Sequence, residues 1–154
     1  VLNSEAKWIS FHGSFDFGYL LKILTCTSLP LSEAEFFSLL HEFFPALYDV
    51  KFLIMSTDAD KLKLSGGFSL QKIAEHLDVT RVGSQHTAGS DSLVTCSTFF
   101  ALMRNYFDNQ IDDGRFSGML YGLGPGVQQT QQQQGGFTPG HGPSAGGMSV
   151  SVSP

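Results

Sequence analysis

Apolar residues recur along the chain at two different spacings. Lys7-Trp8-Ile9-Ser10-Phe11 is a short apolar run that reads as a buried strand, and Gly13-Ser14 ends it. Asp16 then opens a helix whose apolar stripe is Phe17, Leu20, Leu21 and Leu24. Pro30 and Ser32 restart the chain. Ser32-Glu33-Ala34-Glu35 has the pattern of a capping box, in which a Ser hydroxyl and a Glu carboxylate serve the free amides of a first turn. The helix behind it carries Phe36, Leu39, Leu40, Phe43, Phe44 and Leu47 at steps of three and four, and Pro45 ends it early or kinks it.

Phe52-Leu53-Ile54-Met55 is an apolar run too short to assign to helix or strand. Residues 58–67 are polar and turn-rich, and read as a loop. Ser69 caps a helix with Leu70, Ile73, Ala74 and Leu77 inward, and residues 79–85 connect it to the next element. A long helix over about 90–107 places Leu93, Cys96, Phe100, Met103 and Phe107 on one face. One strand and four one-faced helices need a sheet to cover. Too few strands are legible to build one, so the chain reads as a piece whose N-terminal strands are missing.

Composition changes the picture at one end. From Gly122 to Pro154 there is no Asp, Glu, Lys or Arg, and Gln128-Gln129-Thr130-Gln131-Gln132-Gln133-Gln134 lies among Gly, Pro and Ser. Such a segment buries too little apolar surface to offset its ordering entropy, so residues 122–154 are expected to be a disordered tail. Residues 1–121 then carry every charged side chain and the folded part. The net charge of −5 excludes a grip on nucleic acid through bulk charge, and leaves binding through metal ions or a local groove. No apolar run nears the ~20 residues that span a bilayer. Val1-Leu2-Asn3-Ser4-Glu5 has no signal-peptide character. Cys26 and Cys96 lack zinc spacing and read as small packing residues in a reducing compartment.

Two places carry candidate chemistry. Asp16 follows a strand and opens a helix, where α/β folds keep their sites. His86-Thr87-Ala88-Gly89-Ser90-Asp91 puts a His on a loop just ahead of a helix-opening Asp. On spacing alone the simpler account is structural. First-turn Asp complements the helix dipole, and a loop His is commonly a surface residue. The remaining candidates are weaker. Lys61, Lys63, Lys72 and Arg81 either border an RNA groove or, by preference, form a solvated face. His12 is expected to pack or hydrogen-bond at the strand end. His41-Glu42 lacks the second His of a zinc protease, and neither G-x-S-x-G nor a phosphate-binding glycine loop is present. The Phe36/Phe37, Phe43/Phe44 and Phe99/Phe100 pairs read mostly as core, with the second members available to a partner.

The context of the two Asp residues resembles a known family. Residues 8–20, Trp-Ile-Ser-Phe-His-Gly-Ser-Phe-Asp-Phe-Gly-Tyr-Leu, are similar to the second exonuclease motif of the Caf/Pop deadenylases, catalytic subunits of the CCR–NOT complex within the DEDD class of 3′→5′ exonucleases. Residues 81–93, Arg-Val-Gly-Ser-Gln-His-Thr-Ala-Gly-Ser-Asp-Ser-Leu, resemble the third motif in its His-containing form. Tyr48-Asp49-Val50-Lys51, Leu70-Gln71-Lys72-Ile73-Ala74 and the stretch from Ile111 to Gly124 match around and after them. Gly13-Ser14-Phe15 departs from the family's Ser-Gly-Tyr, and Thr87 stands where Gln is common. The family's first motif, an Asp-x-Glu, lies upstream of these residues. Glu33-x-Glu35 is accounted for by the cap. Asp58-x-Asp60 fails as a calcium loop at Leu62, so neither replaces the missing motif.

The resemblance implies an α/β, RNase H-like exonuclease fold, here incomplete. It implies a poly(A)-specific exoribonuclease that releases AMP by hydrolysis with a pair of Mg²⁺ or Mn²⁺ ions. Asp16 and Asp91 map onto two of the carboxylate ligands and His86 onto the general base. The implied partners are the poly(A) 3′ end, the NOT scaffold and a second deadenylase subunit, in nucleus and cytoplasm. Two carboxylates bring only half the charge of such a cation pair, so these residues alone are expected to be inactive. The rivals are a different DEDD-class exonuclease and a non-catalytic adaptor of the same complex.

Overall fold

The computed structural model describes residues 5–57 and 68–124. The loop predicted over 58–67, with Lys61 and Lys63, and the Gln-rich stretch lie outside the described residues. β1 (Trp8–Ser10) leads through Gly13 into α1 (Ser14–Thr25). α2 (Glu33–Phe43) starts at Ser32, whose Oγ accepts the Glu35 amide at 3.3 Å, the Ser half of the expected capping box. α4 (Leu70–His76), the fourth helix described, starts the same way: Ser69 Oγ accepts the Lys72 amide at 3.3 Å.

Between these lie two elements the periodicity misread or left open. The apolar stripe of α2 continues in the sequence through Phe44 to Leu47. Instead α2 stops ahead of Pro45, and Leu47–Asp49 forms strand β2, which pairs in parallel with β1 through Trp8–Leu47, Ile9–Tyr48 and Ser10–Asp49. Proline cannot supply the amide a helix needs there, and three fully buried residues in extended backbone satisfy their polar groups by pairing instead. The ambiguous run becomes α3 (Val50–Ser56), a helix started by the Asp49 carboxylate.

α5 (Ala88–Tyr106) packs on β1, α3 and α4, and α6 (Asp113–Phe116) is a single turn after it. The face of α5 differs from the expected one. Val94, Thr95, Thr98, Phe99, Ala101, Leu102 and Met103 are buried, whereas Leu93 and Phe100 are each about half exposed. Cys96 is exposed too, and so is Cys26, which takes the left-handed position after α1; neither is a packing residue. Two apolar stripes one residue apart run along this helix. The smaller Val94–Thr98–Ala101 stripe is the one that allows close approach to β1 and α3. Leu24 likewise stays exposed at 38% instead of turning inward.

The core has two parts, one on each side of the strand pair. Tyr48, Leu53, Ile54, Ile73, Phe99 and Leu102 fill one. Phe17, Leu21, Phe36, Leu40, Phe44 and Leu47 fill the other. Phe44, offered as a partner-facing residue, is fully buried and sits edge-on between Trp8 at 5.1 Å and Phe17 at 4.9 Å. Each such buried side chain contributes about 1.5–3 kcal/mol. Leu123 and Gly124 belong to this packing: Leu123 rests on the second cluster and the Gly124 amide donates to Glu33 Oε1 at 3.2 Å. The composition boundary at residue 121 therefore falls inside a packed segment. The α/β architecture is helix-rich, with two strands among the described residues. No described helix is long and apolar enough to cross a membrane.

Candidate functional site

Asp49 organises the ground under the site. Its carboxylate is fully buried and accepts five backbone amides: His12 at 2.9 Å, Gly13 at 3.1 Å, Lys51 at 3.0 Å, Phe52 at 3.4 Å and Tyr121 at 3.2 Å. Strand pairing brings Asp49 opposite Ser10, so the carboxylate meets the chain just where it leaves β1. His12, held there at φ +58, turns the backbone toward α1. His12 thus hydrogen-bonds at the strand end, through its amide, and its ring meets Tyr121 edge-on at 5.1 Å. The result fixes the first turn of α1, which carries Asp16.

The second wall comes from the connector between α4 and α5. Thr87 Oγ1 donates to the Ser84 carbonyl at 2.7 Å, and His86 adopts a left-handed φ of +61. For a non-glycine residue this conformation carries strain, held in place by its surroundings. α5 then begins and presents Asp91 in its first turn.

These pieces converge. Asp16, His86 and Asp91 line one cleft of about 620 Å³, together with Ser10, Gln71, Arg81, Gln85, Thr95 and Cys96. All three side chains expected from the sequence face the same space. Asp91 is about one-third exposed and paired with Arg81, whose Nη1 donates to Asp91 Oδ1 at 2.5 Å. Arg81 Nη1 also reaches Ser90 Oγ at 3.0 Å, and its Nε donates to Gln71 Oε1 at 2.8 Å. The solvated face expected for Arg81 is therefore overturned: its side chain is only 10% exposed. Asp49 and Gln71 are the residues that sequence reading gave no role, and Arg81, offered there as a groove residue or a solvated one, lines the cleft. Arg81 had one signal, its place just ahead of His86 in the same loop.

Chemically, two carboxylates opening on one cleft are oxygen donors suited to hard divalent cations. Among the described residues no group of three or more acidic, His or Cys side chains stands close enough to hold an ion.

The family model of the CAF1 family ribonucleases matches residues 1–99. The chain belongs to this family. It is 48% identical over 124 residues to the probable CCR4-associated factor 1 homolog 7 of Arabidopsis thaliana, covering 80% of this chain and 42% of that protein. It is 44% identical to the poly(A) ribonuclease pop2 of Schizosaccharomyces pombe, covering 80% of this chain and 35% of that protein. The chain thus spans less than half the length of the curated relatives it matches. Among solved structures, S. pombe Pop2p in its Mg²⁺- and Mn²⁺-bound form superposes with a TM-score of 0.68 at 44% identity, over 80% of this chain and 46% of that one. Yeast CAF1, crystallised with the NOT1 MIF4G domain, does so with a TM-score of 0.65 at 25% identity, over 78% and 47%. The RNase H-like expectation stands on this likeness, with the CAF1 chain present in part.

Proposed function

We propose that the intact protein is a poly(A)-specific 3′→5′ exoribonuclease that releases AMP as a subunit of a CCR–NOT complex. The observation that carries this is the convergence of Asp16, His86 and Asp91 on one cleft in a CAF1-family chain. Mg²⁺ and Mn²⁺ in S. pombe Pop2p support divalent cations as the cofactors, and the donor set here fits them. Asp16 and Asp91 would hold them. Bound cations supply Lewis-acid activation of water and charge relief on the leaving 3′ oxygen. His86 accepts the proton of the attacking water at an imidazole nitrogen. Asp49, through the His12 and Gly13 amides, holds the turn that leads into α1 and so the place of Asp16. The yeast CAF1 crystallised with NOT1 MIF4G supports the NOT scaffold as partner. Nucleus and cytoplasm are part of the same proposal.

Charge sets a condition. Asp16 and Asp91 bring −2 against the +4 of a cation pair, so the upstream Asp-x-Glu of the family is needed to complete the site. Poly(A) trimming by the intact protein, beside a polypeptide of these 154 residues alone, tests the reading. The intact protein trims and the shorter polypeptide does not. An intact protein that binds NOT1 but leaves poly(A) whole is an adaptor, and one that digests DNA equally well is a different exonuclease.

A further inference from the structure

We infer that Arg81 is a positioning residue for Asp91, holding one carboxylate oxygen so that the other is aimed into the cleft as a cation ligand; the inference rests on the metal-site reading above. Three observations converge. Arg81 donates to three acceptors on two helices, Gln71 on α4 and Ser90 and Asp91 on α5, so its fork ties the walls of the cleft together. Its guanidinium is largely withdrawn from solvent, and the hydrogen bond to Asp91 falls on Oδ1 alone. The connector is also built to bring it there. Gly83 at φ +87 lies so close to α5 that a Cβ would stand 3.3 Å from Ser90 Cβ.

The chemistry favours arginine in this place. Its planar, weakly hydrated fork serves several acceptors in fixed directions, which a lysine ammonium does not. A first-turn aspartate otherwise has rotamer freedom, and ordering it at the moment of cation binding costs affinity. A partner that fixes a ligating group beforehand is typically worth 10–100-fold in metal affinity. Nearby positive charge opposes a cation, so the two effects of Arg81 have opposite sign and can be separated by experiment.

The test is Mn²⁺ binding to the intact protein without RNA, by titration calorimetry, for the native protein and for Arg81→Met, Arg81→Lys, Gln71→Leu and Asp91→Asn. Positioning predicts a Kd for Mn²⁺ about tenfold or more higher in Arg81→Met. Arg81→Lys recovers part of the loss, and Gln71→Leu, which keeps every charge, shows a smaller rise. Tighter Mn²⁺ binding in Arg81→Met overturns the inference and makes Arg81 a competing cation. Unchanged Mn²⁺ binding with a raised KM for poly(A) also overturns it, and makes Arg81 an RNA contact. If Arg81→Met does not fold, Gln71→Leu decides: a Kd for Mn²⁺ raised above the native value supports the inference, and an unchanged or lower one overturns it. Unaltered Mn²⁺ binding in Asp91→Asn sinks the metal-site reading itself, which distinguishes that failure from failure of the Arg81 inference alone.

Discussion

Asp49 accepts the Gly13 amide at 3.1 Å, and this bond couples strand β2 to the turn that starts the Asp16 helix. The carboxylate is buried and its partners are backbone donors, so its loss removes an acceptor from five amides. A buried unsatisfied donor costs about 1–3 kcal/mol, and loss of the cap of α3 about 1 kcal/mol more. Asp49→Ala is therefore expected to lower stability by more than ~3 kcal/mol in urea unfolding. Asp49→Asn keeps one oxygen and loses less. A loss under 1 kcal/mol for the Ala variant would show that solvent replaces these bonds.

His86 is exposed, on the rim of the cleft, and its side chain supports none of the core. His86→Ala is expected to reduce poly(A) turnover in the intact protein by about 10²–10⁴-fold, the range for removal of a general base. Its melting temperature should stay close to the native value. Near-normal turnover would remove His86 from the chemistry.

Tyr48 gives the fold a pH dependence at the alkaline end. Its hydroxyl donates to Asp113 Oδ1 at 2.5 Å, joining β2 to α6. Burial first, and then the bond and charge of Asp113, push the phenol up from 10.0 to about 12. The folded protein therefore keeps this proton at pH values where the unfolded chain releases it. The stability it contributes is fully present below pH 10 and is lost as pH rises through about 12. Denaturant midpoints measured from pH 9 to 12 should fall for the native protein. The fall should be shallower for Tyr48→Phe. Parallel curves would assign the alkaline loss to other groups.

Much of this was readable in the sequence, and the exceptions share a cause. The caps at Ser32 and Ser69 were legible because a local rule decides them: a hydroxyl within reach of amides three residues on. That Asp16, His86 and Asp91 meet at one cleft was legible through motifs spaced along the chain. Strand β2 was not, because Leu47 continues a helical stripe and only pairing with β1 makes Leu47–Asp49 extended. The buried face of α5 was missed for a related reason. Two stripes fit the period, and contact with β1 and α3 selects between them. Asp49 and Arg81 carry no sequence mark of burial. Their roles exist only once distant segments, residues 12–13 and 121 for one and residues 71 and 90–91 for the other, are brought to them.

The central claim is that the carboxylates of Asp16 and Asp91 share bound cations. Crystals of the intact protein soaked in Mn²⁺ and measured at the manganese edge test it most directly. The account predicts anomalous density in the cleft within about 2–2.5 Å of oxygens from both residues. Manganese ligated by other groups, with no oxygen of Asp16 or Asp91 in its coordination sphere, would contradict it.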